Sequence, residues 1–191
     1  RETLFYKDTK GDSMLKGKIT GIRPLEPEDL ESLYTWYNDP EYAYWVSGSW
    51  PPMTMLRREE IESVLYEEDD HRYAVTDQKG HLIGTVGFDQ VNIPARSARI
   101  FIGIGSKEYR NKGYGSDSLA VFLQFLFNQW NFHRVTAETW QDNLGAIKCY
   151  QKLGFMIEGT LREAYFVNGS YYNAIVLGLL QKDFQKLPLP L

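Results

Sequence analysis

The run Arg110-Asn111-Lys112-Gly113-Tyr114-Gly115-Ser116 lies between a strand-like segment, Ala98-Arg99-Ile100-Phe101-Ile102-Gly103-Ile104, and the most regular amphipathic stretch of the chain. Across residues 115–130, Leu119, Phe122, Leu123, Leu126 and Trp130 fall on one stripe at helical spacing. The run is therefore a strand-to-helix junction. Glycines at alternate positions remove the Cβ atoms that keep an anion away from the backbone, and the following helix offers unpaired N–H groups and the positive end of its dipole. Arg110 and Lys112 add charge. The chemistry so described is a cradle for phosphate or pyrophosphate. It is not a Walker loop, because no Gly-Lys-Ser/Thr closes it, and Gly103-Ile104-Gly105 lacks the third glycine of a dinucleotide fingerprint. A tight turn that merely needs glycine is the alternative.

A second segment, Asn143-Leu144-Gly145-Ala146-Ile147-Lys148-Cys149-Tyr150-Gln151-Lys152-Leu153-Gly154-Phe155, reads as a short helix stopped by glycine. Asn143, Ile147 and Tyr150 recur at i, i+4 and i+7, so one face carries an amide and a phenol in line. A phenol with an ordinary pKa of about 10 is suited to protonate a departing thiolate whose thiol lies near 8.5. Cys149, one position away, is expected to turn off that face and serve as a small buried hydrophobe.

Outward from these segments the chain divides evenly. Ile19 to Arg23 reads as a strand ending at Pro24. A helix carrying Leu30, Leu33, Trp36 and Tyr37 stops before Pro40, and a second begins from Thr54 as N-cap with Leu56, Ile61, Val64 and Leu65 on its buried side. Tyr73 to Val75, Leu82 to Val91, residues 98–104 and Arg134 to Trp140 read as strands, and Phe155 to Leu180 as a long hairpin turning at Asn168-Gly169. The order is β-α-α-β-β-β-α-β-α-β-β. It specifies one mixed α/β domain with a central, mostly antiparallel sheet flanked by helices, over residues 16–186. Residues 1–15 are expected to be an extension and 187–191 a tail.

The length of 191 residues suits one domain. A single cysteine excludes an internal disulfide framework, and His71, His81 and His133 are too scattered for a metal site. No apolar run approaches about 18 residues, so no membrane span is expected, and a reduced, cytoplasmic setting fits. The net charge of −4 argues against nucleic acid as a partner. That sum conceals a division: residues 1–95 carry 10 Lys/Arg against 18 Asp/Glu, whereas residues 96–191 carry 11 against 7. The first half attracts cations and the second anions.

With both motifs in view, the sequence resembles the GNAT superfamily of acyl-coenzyme A-dependent N-acyltransferases, from about Lys18 to Phe184. The Arg110-x-x-Gly113-x-Gly115 loop resembles its pyrophosphate-binding motif, and Asn143 through Tyr150 to Leu153-Gly154-Phe155 its following motif. The resemblance implies a GNAT fold and acetyl-coenzyme A (acetyl-CoA) as cofactor. It places Phe101, Ile102, Gly103 and Ile104 beside the pantetheine arm, where strand N–H groups polarise the thioester carbonyl. It also implies that Arg110, Asn111, Lys112, Gly113, Tyr114, Gly115 and Ser116 bind the pyrophosphate, with Asn143 and Lys152 as further cofactor contacts. Tyr150 would be the general acid and Glu138, on the preceding strand, a base acting through water. For Asn143 the helix N-cap role is equally open, and for Glu138 that of a solvated strand carboxylate.

The finer resemblance is to the RimJ/RimL-like and spermidine acetyltransferase branch, carried by Arg23-Pro24-Leu25 with Glu28-Asp29-Leu30, and by Glu158-Gly159-Thr160-Leu161-Arg162-Glu163 with Asn168-Gly169-Ser170-Tyr171-Tyr172-Asn173-Ala174-Ile175. In that branch the early helices line the acceptor site, which implies Tyr37, Glu41, Tyr44 and Trp45 as acceptor contacts. Partner subunits often shape that pocket, which leaves a homo-oligomer open. Val46 to Pro52 is neutral where the spermidine enzymes are expected to carry carboxylates, so a peptide N-terminus, a small amine or an amino-sugar stays beside a polyamine as acceptor. A catalytically idle coenzyme A-binding module is the contrasting reading.

Overall fold

The computed structural model describes residues 13–46, 56–63, 71–167 and 169–184. Eight strands form one sheet in the order β1-β2-β3-β4-β5-β6-β8-β7: β1 Leu15–Lys16, β2 Thr20–Pro24, β3 His71–Asp77, β4 Leu82–Asn92, β5 Ser97–Ile104, β6 Arg134–Trp140, β7 Met156–Val167 and β8 Ser170–Leu180. Every neighbouring pair is antiparallel except β5 with β6. The helices are α1 Leu30–Tyr37, α2 Pro40–Val46, α3 Arg58–Ser63, α4 Tyr114–Asn128, α5 Leu144–Lys152 and α6 Gln181–Phe184. The mixed α/β architecture expected from the sequence is borne out.

Strand alternation sorts the helices onto two faces. Ile100 and Phe88 face α4, whose Leu119, Phe122, Leu123 and Leu126 are fully buried. Each such side chain contributes about 1.5–3 kcal/mol of transfer free energy. The opposite face carries Gly103, where a Cβ would come within 2.5 Å of the Tyr42 hydroxyl oxygen; only glycine lets α2 lie this close to β5. Trp130, expected on the α4 stripe, lies beyond the helix, because Asn131 turns the chain at φ 54; its indole packs edge-on against Phe88.

Pro40 divides the early helical region instead of ending it. It occupies the first position of α2, where a missing N–H costs nothing, and the Asp39 carboxylate caps that helix by accepting from Tyr42 N at 2.9 Å. The second expected helix is α3; Thr54, Val64 and Leu65 lie outside the described residues, and Ile61 is buried as expected. Two polar clamps fix the start of the domain. Arg23 grips Asp29 bidentately at 2.7 and 2.8 Å, and Asp117 in the first turn of α4 accepts from the backbone N–H groups of Lys18, Ile19 and Thr20 at 3.0–3.1 Å and from Thr20 Oγ1 at 2.7 Å.

The feature that positions the site is a parting of strands. β5 and β6 pair only at Ser97↔Arg134, Ala98↔Val135 and Arg99↔Thr136. Beyond that point β5 stays registered on β4 to Ile104 and β6 on β8 to Trp140, so the two strands diverge. The β6-facing backbone groups of residues 101–104 lack strand partners and are available to a ligand. Because α2 covers one face and α4 and α5 the other, a cleft at this parting is reached from both sides.

Candidate active site

A cleft of about 670 Å³ opens where β5 leaves β6. Its floor is Ile102, Gly103 and Ile104 of β5. The loop residues Arg110, Asn111, Gly113, Gly115 and Ser116 close one end, and Ala146, Cys149 and Lys152 of α5 form one wall. The other wall is α2, with Glu41, Tyr42, Trp45 and Val46.

The loop is built for an anion. Asn111 and Gly113 both take left-handed conformations, at φ 60 and φ 91, and α4 starts at Tyr114 directly after them. Such alternation turns successive N–H groups inward, and the helix dipole adds positive potential. Nothing stands within 4 Å of a Cβ built at Gly113, so the glycine serves its backbone angle and not a close contact. Lys148 and Lys152 of α5 border the same cavity.

Asn143 combines two tasks. Its Oδ1 accepts from Ala146 N at 3.2 Å as the N-cap of α5, and its Nδ2 donates to the Trp45 carbonyl at 3.2 Å, fastening α5 to the end of α2 across the cleft. Trp45, Tyr44, Trp140 and Tyr172 form one aromatic cluster, with Tyr44 edge-on to Trp140 at 4.4 Å and Trp45 5.4 Å from Trp140. Asp142 lies at the mouth beside this cluster. Its charge, after the larger effect of desolvation and that of Tyr172, helps raise the pKa of the Tyr44 phenol.

Residues 20–156 match the acetyltransferase (GNAT) domain family. The chain belongs to the GNAT acetyltransferase family. It is similar to the spermidine N(1)-acetyltransferase of Escherichia coli strain K12, 29% identical over 164 residues that cover 85% of this chain and 87% of that one. An uncharacterized prophage-derived N-acetyltransferase of Bacillus subtilis is 25% identical over 169 residues, covering 88% and 94%. The crystal structure of the Vibrio cholerae spermidine N-acetyltransferase in complex with CoA and spermine superimposes with a TM-score of 0.79 at 26% identity, covering 87% of this chain and 98% of that one. The protein is thus an acetyl-CoA-dependent N-acetyltransferase. The left-handed loop, the unpaired edge of β5 and the basic rim suit the pyrophosphate, the amide-bearing arm and the remaining phosphate of that cofactor.

Several side chains of this acetyltransferase stand elsewhere than the sequence suggested. Phe101 is turned to the α2 face, with the Arg72 guanidinium 4.8 Å over its ring, and does not line the cleft. Lys112 is exposed, and Tyr114 packs edge-on against Tyr109, so only their backbones are placed to serve the loop. Tyr37 lies outside the cleft, edge-on to Tyr42 and hydrogen-bonded by Arg72; Tyr44 stands behind Trp45. The Arg110 guanidinium donates to the carbonyls of Ile104 and Gly105 at 2.9 and 2.8 Å and to Glu41 at 3.2 Å. It is anchored on protein groups, not held free for phosphate. Glu41, read as a contact for a cationic amine, pairs with Lys107 at 2.8 Å as well as with Arg110.

On α5 the residues that border the cleft are Leu144, Gly145, Ala146, Lys148, Cys149 and Lys152, beside the N-cap Asn143, and Ile147 and Tyr150 of the expected stripe are not among them. Cys149, expected off the active face, therefore borders the cavity; burial pushes its thiol up to about 11, which keeps it neutral and poorly nucleophilic. Tyr150 sits immediately behind this lining, 4% exposed, its ring 5.3 Å from Phe155 and its hydroxyl unbonded to any described group. Glu138 is exposed and accepts from the Tyr165 hydroxyl at 2.9 Å, outside the cleft. Asp142 borders the cleft without having been expected there. The signal for Asp142 was its place between a strand end and a helix N-cap, where a side chain overhangs the mouth of a sheet.

Proposed function

We propose that the acceptor is a primary alkylamine of the diamine or polyamine class. One observation carries the reading. Of the two carboxylates that border the cleft, Glu41 is neutralised by Lys107 and Arg110, whereas Asp142 makes no ion pair among the described residues and stands close enough to the aromatic cluster for its charge to act on the Tyr44 phenol. A carboxylate in a cleft that an indole also lines suits an alkylammonium ion. The similarity to spermidine acetyltransferases supports the same class. The neutral segment after Val46 that set this chain apart in sequence lies, from Ser47, outside the described residues.

Bound acetyl-CoA supplies an electrophilic thioester carbonyl. The chain's own part begins with the N–H groups of Ile102 and Ile104, which orient and polarise that carbonyl from the unpaired edge of β5. An alkylamine with a pKa near 10.4 costs about 4–5 kcal/mol to deprotonate at pH 7; that proton passes to solvent water at the mouth of the cleft, and the second, shed by the nitrogen as the C–N bond forms and the C–S bond breaks, replaces the one that Tyr150 gives to the sulfur. Asp142 and Trp45 hold the amine on the α2 side of the cleft. Tyr150 donates its hydroxyl proton to the sulfur as the thiolate leaves. Burial raises the pKa of this phenol, so it is in its donor form at every working pH.

The experiment is thiol release from acetyl-CoA with spermidine, a monoamine of equal length, an N-terminal peptide and an aminoglycoside, for the wild type and Asp142→Asn. Spermidine is expected to be preferred over the peptide by about tenfold in kcat/KM, and Asp142→Asn to raise its KM without altering the KM for acetyl-CoA. Preference for the peptide or the aminoglycoside, or an unchanged KM in the variant, overturns the assignment.

A further inference from the structure

Arg110 and Glu41 are the residues whose positions depart most from what their sequence contexts suggest, and they depart together. Arg110 opens a phosphate loop yet spends its guanidinium on three protein acceptors: the Ile104 carbonyl, the Gly105 carbonyl and Glu41 Oε1. Its charge also stands 5.8 Å from the centre of the Tyr42 ring. The other Glu41 oxygen meets Lys107 Nζ at 2.8 Å, and that ammonium lies 3.2 Å from Asp39, the carboxylate that caps α2. One continuous network therefore ties the end of β5 and the start of the loop to the first turn of the helix that walls the acceptor side.

A planar guanidinium fits this place because two carbonyls at a strand end need donors in fixed directions, which an ammonium cannot supply together. A carboxylate already shared between two cations is a poor site for a third. Conversely, Tyr42 and Trp45 reach the cleft only while α2 stays against β5, and among the charged groups Glu41 is the one that bridges α2 to both cations.

We propose that Glu41 is a positioning residue: through Arg110 and Lys107 it holds the acceptor wall, α2, against the end of β5, and it binds neither substrate itself. The inference rests on reading α2 as the acceptor wall. It leads to an uncommon kinetic pattern. Loss of either Glu41 or Lys107 loosens the same wall, so their effects do not add. Arg110→Lys keeps the positive charge that a phosphate would need but loses the bidentate hold on the carbonyls, so it harms acceptor binding and spares the cofactor.

The test is steady-state kinetics of Glu41→Gln, Lys107→Met, the double variant and Arg110→Lys, with acetyl-CoA affinity measured separately by calorimetry. Each single variant is expected to raise the acceptor KM roughly threefold to tenfold, the double variant no more than either single, and acetyl-CoA affinity to hold within about twofold throughout. A lower acceptor KM in Lys107→Met, or additive effects in the double variant, shows that Glu41 binds the amine directly and overturns the proposal. Weaker acetyl-CoA binding in Arg110→Lys makes Arg110 a phosphate ligand and overturns it as well, as does an acceptor KM unchanged in all four. The comparison uses whichever amine is turned over fastest, so a wrong acceptor class shows in the amine panel and leaves this test intact.

Discussion

Tyr150→Phe removes one oxygen from a residue that is 4% exposed and whose hydroxyl meets no described partner, so the variant isolates chemistry from folding. The Tyr150 hydroxyl is not among the described polar atoms that are both fully buried and unpartnered, so its removal is expected to leave the melting temperature within about 2 °C. The kinetic effect is of another size. A positioned general acid contributes about 10²–10⁴ in rate, so kcat is expected to fall by that factor, about 3–5 kcal/mol in the barrier. Burial raises the phenol's pKa above its ordinary value, so it does not titrate as pH rises from neutral into the alkaline range. The wild-type and variant profiles of kcat should then have the same shape between about pH 6 and 9 and differ in height. Thiol release gives kcat, and thermal shift with acetyl-CoA confirms that the cofactor still binds. A kcat within about threefold of wild type refutes the role, because no other effect of this substitution could conceal a lost proton donor.

Cys149→Ala is expected to keep kcat within about threefold and to leave intersecting initial-velocity lines, since a thiol held at about 11 is not a nucleophile at neutral pH; parallel lines in the wild type would contradict this. Asp117→Ala leaves three backbone N–H groups and the Thr20 hydroxyl without their acceptor and should destabilise the fold by about 2–4 kcal/mol in urea unfolding, with Asp117→Asn losing less. Gly113→Ala forces a Cβ into a left-handed conformation at a cost of about 1–2 kcal/mol, read as a higher KM for acetyl-CoA with the acceptor KM unchanged. Glu158 is held below its ordinary range by the hydrogen bond from Arg134; its contribution is complete above the ordinary carboxylate value and lost as pH falls through the lowered one, so Glu158→Gln should flatten the acid limb of a stability-against-pH curve.

Periodicity revealed the α4 stripe because a helix against a sheet must be apolar on one side, and glycine chemistry revealed the loop because few residues tolerate its angles. The partition of α5 was misread for a geometric reason. Counting i, i+4, i+7 from Asn143 selects Ile147 and Tyr150, but the wall of the cleft runs through Gly145, Ala146, Lys148, Cys149 and Lys152. Which stripe faces a cavity is decided by how the helix is rolled on the sheet, and that is tertiary information. The pairing of Glu41 with Lys107 and Arg110 was likewise illegible, since it joins residues more than 60 positions apart. The parting of β5 from β6, on which the whole site depends, leaves no mark in either strand's alternation. It comes from each strand keeping its outer neighbour.

The decisive measurement is a single incubation of the purified chain with acetyl-CoA and spermidine, following free thiol and the mass of the amine together. One acetyl group on the amine for each thiol released, slowed by about 10²–10⁴ in Tyr150→Phe while acetyl-CoA still stabilises the protein, is the predicted result. Stabilisation by acetyl-CoA with neither thiol release nor an acetylated product, on spermidine or any other amine of the panel, would contradict it and leave a coenzyme A-binding protein without catalysis.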